Sequence, residues 1–220
     1  MSEAPLRPIG VFGGTFDPVH FGHLRVAWEC AEAVNLERVH MIPAATPPHR
    51  RPPQADDLTR AAMLRAALTG QERLVMDDRE LLRGGISYTV DTLETLRNEL
   101  GDQPLCLILG TDAFLGLPQW HRWEEIIELA HLVIAHRPGW TLPGDGPLAP
   151  WLQAHHRPEA TALHHAPAGF IHSVEVTQLD ISASRIRALV AQGREPRYLI
   201  PESVWNIIQL RGLYRKATTP

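Results

Sequence analysis

Cysteine is scarce in this chain, with only Cys30 and Cys106 among 220 residues. Two thiols, one in a helical run and one in an apolar strand run, make no disulfide framework and read as buried, reduced groups. No apolar run approaches the ~20 residues of a membrane-spanning helix. The opening MSEAPLRP lacks the apolar stretch of a secretory signal. Together these absences lead us to expect a cytoplasmic protein without a membrane partner. Positive charge is not in excess either. Lys and Arg number 21 against 25 Asp and Glu, a formal net charge of −4, which gives no support to nucleic acid as a major partner. There is no GxxxxGKS phosphate loop, no HExxH zinc motif and no internal repeat. The length is within the range of one α/β domain burying roughly 70% of its unfolded surface.

What the chain does have is GGTFDPVHFGH, from Gly13 to His23. A short apolar run precedes it and a helix-capable run follows, which places it on a strand-to-helix turn, where open α/β sheets bind nucleotides. Gly13 and Gly14 are expected to let the backbone turn tightly and approach a ligand. Pro18 stops the strand. His20 and His23 are three apart at a helix start, so both rings share one side. There they join free N–H groups and the positive end of the helix dipole, an anion site suited to a polyphosphate. The alternative, a metal site, lacks both an HExxH pattern and a neighbouring Cys ligand.

Strands are expected at 8–12, 38–42, 74–76, 105–109 and 132–135, with a weaker one at 171–176. Helical periods fall between them at 21–34, 56–69, 87–100 and 124–129. This alternation argues for an α/β fold, a mostly parallel sheet flanked by helices. Residues 137–169 are rich in Pro and Gly and read as a loop-rich insertion with one short helix near 151–154. The pairs His155-His156 and His164-His165 within it read as solvated loop residues rather than metal ligands. Residues 182–212 form a small C-terminal helical part of two short helices, the first capped by Ser182. The chain is expected to be a single domain over 1–220.

The string GGTFDPVHFGH resembles the signature of the nucleotidyltransferase superfamily with the H-x-G-H motif. Over nearly its whole length the chain resembles the bacterial nicotinate-nucleotide adenylyltransferases. The matching segments are PPHR at Pro47 to Arg50, DDRELLRGGISYTVDTL at Asp77 to Leu93 and LGTDAF at Leu109 to Phe114. LPQWHRWEEI at Leu117 to Ile126, AHRPG at Ala135 to Gly139 and ISASRIR at Ile181 to Arg187 follow in order.

The resemblance implies a Rossmann-like sheet and the reaction of ATP with nicotinate mononucleotide, giving deamido-NAD and pyrophosphate by direct in-line displacement. Mg²⁺ would accompany ATP, with no metal held by the protein itself. His20, His23 and Arg187 are the expected catalytic residues. ATP would also meet Gly13, Gly14, Thr15, Phe16, Ser182 and Ser184. The two serines offer hydroxyls to phosphate and Arg187 a planar cationic fork. The family more often carries Thr where this chain has Ser184, and Ser keeps the hydroxyl.

For nicotinate mononucleotide, the backbone at Ser87, Tyr88 and Thr89 opens a helix and is expected to receive the carboxylate. Trp120 stands where the family stacks the pyridine ring, an attraction of about 0.5–2 kcal/mol for a cationic ring. Arg137, His49 and Arg50 are candidate charges for the mononucleotide phosphate. Asp112 suits a ribose hydroxyl or a hydrated Mg²⁺. Relatives often carry an Asn before PPH, where this chain has Ala44-Ala45. Two rivals remain: a relative with another phosphate acceptor, and a non-catalytic nucleotide-binding regulatory module. The SYT segment, Trp120 and the long C-terminal part argue against the first, and the presence of both motifs argues against the second.

Overall fold

A computed structural model describes residues 6–48, 52–177 and 179–216. Each apolar run becomes a strand: β1 (Ile9–Gly14), β2 (Arg38–Pro43), β3 (Leu74–Met76), β4 (Leu105–Gly110), β5 (His131–His136) and β6 (Ile171–Glu175). All pair in parallel, in the order β3-β2-β1-β4-β5-β6. This is the doubly wound arrangement anticipated from the sequence.

Strands buried on both faces need not alternate polar with apolar residues, and β4 (LCLILG) shows why. Its Cys106 and Ile108 enter one core, whereas Leu105, Leu107 and Leu109 enter the other. The first core is covered by α1 (Phe21–Ala33), α2 (Asp57–Ala67), α8 (Ala183–Ala191) and α9 (Glu202–Leu210). The second lies under α4 (Thr89–Leu100), α5 (Thr111–Leu115), α6 (Ile126–Leu129) and α7 (Ala149–His155). A short α3 (Arg79–Arg83) follows β3. Close packing leaves no room at Gly10, where a Cβ would stand 2.8 Å from Leu36 Cδ1 and 2.9 Å from Val39 Cγ2.

The C-terminal helices fold back on the N-terminal half. Phe21 N–H donates to the Leu199 carbonyl at 3.1 Å, and Ser203 Oγ to the Ala66 carbonyl at 2.9 Å.

Three expectations need correction. The helix expected at 87–100 begins at Thr89, because Ser87 N–H is hydrogen-bonded to the Thr46 carbonyl across a short parallel bridge. The run at 124–129 splits into a 3₁₀ turn, Trp123–Glu125, and α6. The histidine pairs of 137–169 are not solvated as a group. His155 Nδ1 lies 2.8 Å from the Gly169 carbonyl and His164 Nε2 lies 2.8 Å from that of Val34, while only His165 is exposed. Leu152 and Leu163 anchor the segment in the two cores, so their neighbours are carried inward.

Candidate active site

The strand order reverses between β1 and β4, opening a crevice at their carboxyl ends, where open α/β sheets take ligands. Gly13 and Gly110 stand at these ends, and a Cβ on either would meet no protein atom within 4 Å. Gly13 and Gly14 are not the turn itself, as the sequence suggested. Both remain in β1, opposite Ile42 and Pro43 of β2. The turn follows at Asp17 and Pro18, entered through Phe16 in left-handed backbone (φ 49°), a conformation costing roughly 1–3 kcal/mol outside glycine. Gly14 is small for a different reason: a Cβ there would stand 2.9 Å from the Phe16 ring.

His20 is the residue before α1, and His23 lies one turn in. Their rings stack with centroids 3.6 Å apart, bringing the pair together as expected. His20 N–H donates to His23 Nδ1 at 3.3 Å, which leaves Nε2 as the protonated nitrogen of a neutral His23. Phe16 meets the His23 ring edge-on at 5.1 Å. Of the two rings, His20 is the buried one. It is 5% exposed, its Nδ1 has no protein partner, and burial lowers its pKa to about 4. At neutral pH it is a neutral ring. The helix end also offers fewer donors than expected, because Phe21 N–H is already bonded to Leu199.

The second motif starts α8, where Ser182 Oγ accepts from Arg185 N–H at 3.2 Å as the anticipated cap. Ser184 is exposed, and its hydroxyl accepts from Arg187 Nη2 at 3.3 Å. Arg187 Nη1 donates to the Asp17 carbonyl at 2.6 Å. Two strings separated by most of the chain therefore meet at one place. The Ile181 carbonyl lies close enough that a Cβ on Gly22 would stand 3.6 Å from it.

The residues expected to meet the acceptor are brought together less completely. Ser87 Oγ accepts from Ala45 N–H at 2.9 Å, so a side chain from the SYT segment satisfies the backbone at Ala44-Ala45. With Ser87 N–H bonded to Thr46, the N–H groups of Tyr88 and Thr89 remain as helix-start donors without intrahelical acceptors. The Tyr88 ring lies 4.4 Å from His121, which joins this segment to the turn carrying Trp120. Trp120 is half-buried against the second core, while Trp123 stacks on Trp151 at 4.4 Å, consistent with packing. Asp112 sits exposed in the first turn of α5, at the β4 end of the crevice. Arg137 is exposed just beyond β5. His49 and Arg50 lie outside the described residues.

Four residues, Asp17, Arg60, Glu80 and Tyr214, escaped the sequence reading. Asp17, 4% exposed, accepts from the N–H groups of Gln54 (2.8 Å) and Ala55 (3.2 Å) and from the Tyr214 hydroxyl (2.6 Å). Arg60 is fully buried and donates to the Thr15 carbonyl at 2.7 Å and to Asp57 at 2.7 Å. Glu80, whose carboxyl is pushed up by burial, accepts from Thr92 Oγ1 at 2.6 Å beneath the start of α4. Of the four, only Asp17 carried a signal, an acid beside Pro18 inside the first motif.

A family model described as cytidylyltransferase-like matches residues 11–189, which spans both motifs. Fold, crevice and paired motifs therefore define a nucleotidyltransferase. The chain is 46% identical over 208 residues to a "probable nicotinate-nucleotide adenylyltransferase" of Aeromonas salmonicida, covering 94% of this chain and 97% of that one. It is 49% identical over 210 residues to a protein of the same description from Halorhodospira halophila, covering 96% of each. The chain belongs to the nicotinate-nucleotide adenylyltransferase family. The Plasmodium falciparum nicotinic acid mononucleotide adenylyltransferase complexed with NaAD shares its fold, with a TM-score of 0.71 at 15% identity over 94% of this chain and 97% of that one.

Proposed function

We propose that this protein transfers the adenylyl group of ATP to nicotinate mononucleotide, releasing pyrophosphate and forming deamido-NAD in one in-line displacement. The observation that carries this reading is the contact between Arg187 and Asp17, which brings the second motif against the turn leading into the stacked His20–His23 pair. No general base is needed. The attacking phosphate monoester has a second pKa of about 6 and is largely dianionic at neutral pH. What it needs is alignment and relief of charge repulsion.

His23 donates from Nε2 to the ATP phosphates, and the neutral His20 ring backs it. Arg187 supplies permanent positive charge to the departing phosphates, flanked by the Ser182 and Ser184 hydroxyls. The crevice-end residues Gly13, Gly14, Thr15 and Phe16 give the nucleotide a close backbone approach. Tyr88 and Thr89 N–H groups receive the nicotinate carboxylate, Trp120 takes the pyridine ring, and Arg137 with His49 and Arg50 faces the mononucleotide phosphate. Among the described residues no group of three or more His, Cys, Asp or Glu side chains is arranged to hold a metal ion. Mg²⁺ would enter with the triphosphate and offset its charge, with Asp112 as a candidate outer partner. Among the described residues no helix is long and apolar enough to cross a membrane. Two free buried thiols, Cys30 and Cys106, suit a reducing cytoplasm.

The decisive assay incubates the protein with ATP, Mg²⁺ and, separately, nicotinate mononucleotide, nicotinamide mononucleotide, phosphopantetheine and a polyol phosphate, and measures pyrophosphate. Release is expected to be fastest with nicotinate mononucleotide. Faster release with phosphopantetheine or the polyol phosphate would overturn the acceptor assignment, and ATP binding without release from any acceptor would make the protein a nucleotide sensor.

A further inference from the structure

The C-terminal segment after α9 ends in a contact that packing alone does not require. Tyr214 is 9% exposed, and its hydroxyl donates to Asp17 Oδ1 at 2.6 Å across 197 residues of sequence. Asp17 is also the residue whose carbonyl receives Arg187 at 2.6 Å, and its Oδ2 lies 3.9 Å from Arg187 Nη1. Ala55 N–H donates to the same Oδ1, and Gln54 N–H to Oδ2. Three donors on two oxygens fix the carboxylate, and through it the Asp17 peptide on which Arg187 rests. Both ends of this link involve backbone that L residues disfavour: Phe16, next to Asp17, has φ 49°, and Tyr214 itself has φ 60°. Left-handed backbone persists only where surrounding contacts over-determine it, and it concentrates at functional sites. A short hydrogen bond from phenol to carboxylate is such a contact and one of the stronger kinds.

We infer that Tyr214 is a positioning residue of the active site, acting through Asp17 to hold the Arg187 guanidinium where the departing phosphates form. The inference rests on the role given to Arg187 under the proposed reaction. It assigns the C-terminal segment 211–216 a part in turnover rather than in folding alone. Tyr214 does not touch the reacting atoms. Its hydroxyl removes a degree of freedom from the Asp17 carboxylate, so that Arg187 Nη1 and Nη2 hold one orientation toward the crevice. Small misplacements of a positioned group cost large factors in rate. The nicotinate mononucleotide side, at Tyr88 and Trp120, is built on other elements and does not depend on this link.

The test is a double-mutant cycle on the full chain with Tyr214→Phe, Arg187→Ala and the combined variant, each checked for retained thermal unfolding. Tyr214→Phe keeps the buried ring and loses only the hydroxyl. We expect kcat to fall about tenfold in Tyr214→Phe, with KM for nicotinate mononucleotide unchanged, and the combined variant to be no slower than Arg187→Ala. Wild-type kcat in Tyr214→Phe, alongside a slow Arg187→Ala, would overturn the role of Tyr214 while leaving the reaction scheme intact. Multiplying effects in the combined variant would overturn it too, because Tyr214 would then act independently of Arg187. Wild-type turnover in Arg187→Ala would instead sink the scheme on which the inference rests. If Tyr214→Phe unfolds early, Tyr214→Met at low temperature repeats the comparison, and a kcat equal to wild type in its folded fraction overturns the inference.

Discussion

In the proposed reaction His23 offers one proton, and a backbone contact bears on which nitrogen carries it. Because His20 N–H occupies Nδ1, the neutral ring carries hydrogen on Nε2 and can donate from there to a phosphate oxygen. Removing that preorganised donor is expected to lower kcat by about 10²-fold or more in His23→Ala, with the thermal midpoint little changed. Steady-state pyrophosphate release beside a melting curve checks it, and near-normal turnover would take His23 out of the mechanism. The placement of His20, His23, Ser182 and Arg187 at two helix starts was legible in the sequence, because each lies in a short string whose spacing already defines a turn or a helix face. Asp17, Arg60 and Tyr214 were not legible as site residues, since their roles are made by tertiary contacts. Asp17 meets partners 37, 38 and 197 positions away, and Arg60 reaches the Thr15 carbonyl across 45. No local pattern encodes such pairs.

Helix α8 depends on its first residue. Ser182 Oγ satisfies Arg185 N–H, one of the orphan donors of the helix start. In Ser182→Ala the helix loses that cap, and stability is expected to drop by about 1 kcal/mol. For a chain of this size that is a fall of roughly 2–4 °C in Tm, read directly by calorimetry. An unchanged Tm would show that the cap is replaced by a neighbour. Among the elements, the strands were the most legible part of the chain. Their apolar runs have no helical period and end where the glycines and prolines stand, so β3 is found where expected and the others shift by one or two residues. Helix starts were harder. The SYT helix begins late because a long-range bridge from Thr46 takes Ser87 N–H, which sequence pattern does not reveal. The 137–169 segment was misread because two leucines, without any period, anchor it in separate cores.

At the scale of the whole molecule, two buried histidines set a pH limit on folding. His20 is 5% exposed and His131 is fully buried, and burial lowers each pKa from 6.5 to about 4. His131 is further held by the Ala166 carbonyl, 2.8 Å from Nε2, and by Phe170 N–H donating to Nδ1 at 3.1 Å. Between pH 6.5 and 4 the unfolded chain binds protons at both positions while the folded chain does not. Stability therefore falls as pH falls through that window. At about 1.36 kcal/mol per pKa unit the loss is on the order of 3 kcal/mol for each ring. Among the buried carboxylates Glu80, which burial pushes up, offsets part of this decline, whereas Asp77 does not act in that window. Burial raises the Asp77 carboxyl, but hydrogen bonds from His40 and Arg79 outweigh it and bring it to about 2, so its contribution is lost only below pH 3.8. Urea unfolding at pH 7.5, 6.5, 5.5 and 4.5 is expected to give midpoints that are level above 6.5 and decline below it. His20→Gln, which cannot take up a proton, is expected to lose the part of the decline that belongs to His20. A midpoint independent of pH over this range would mean that both rings reach water in the native state, and the stacked, neutral His20 on which the phosphate site is built would be lost with it.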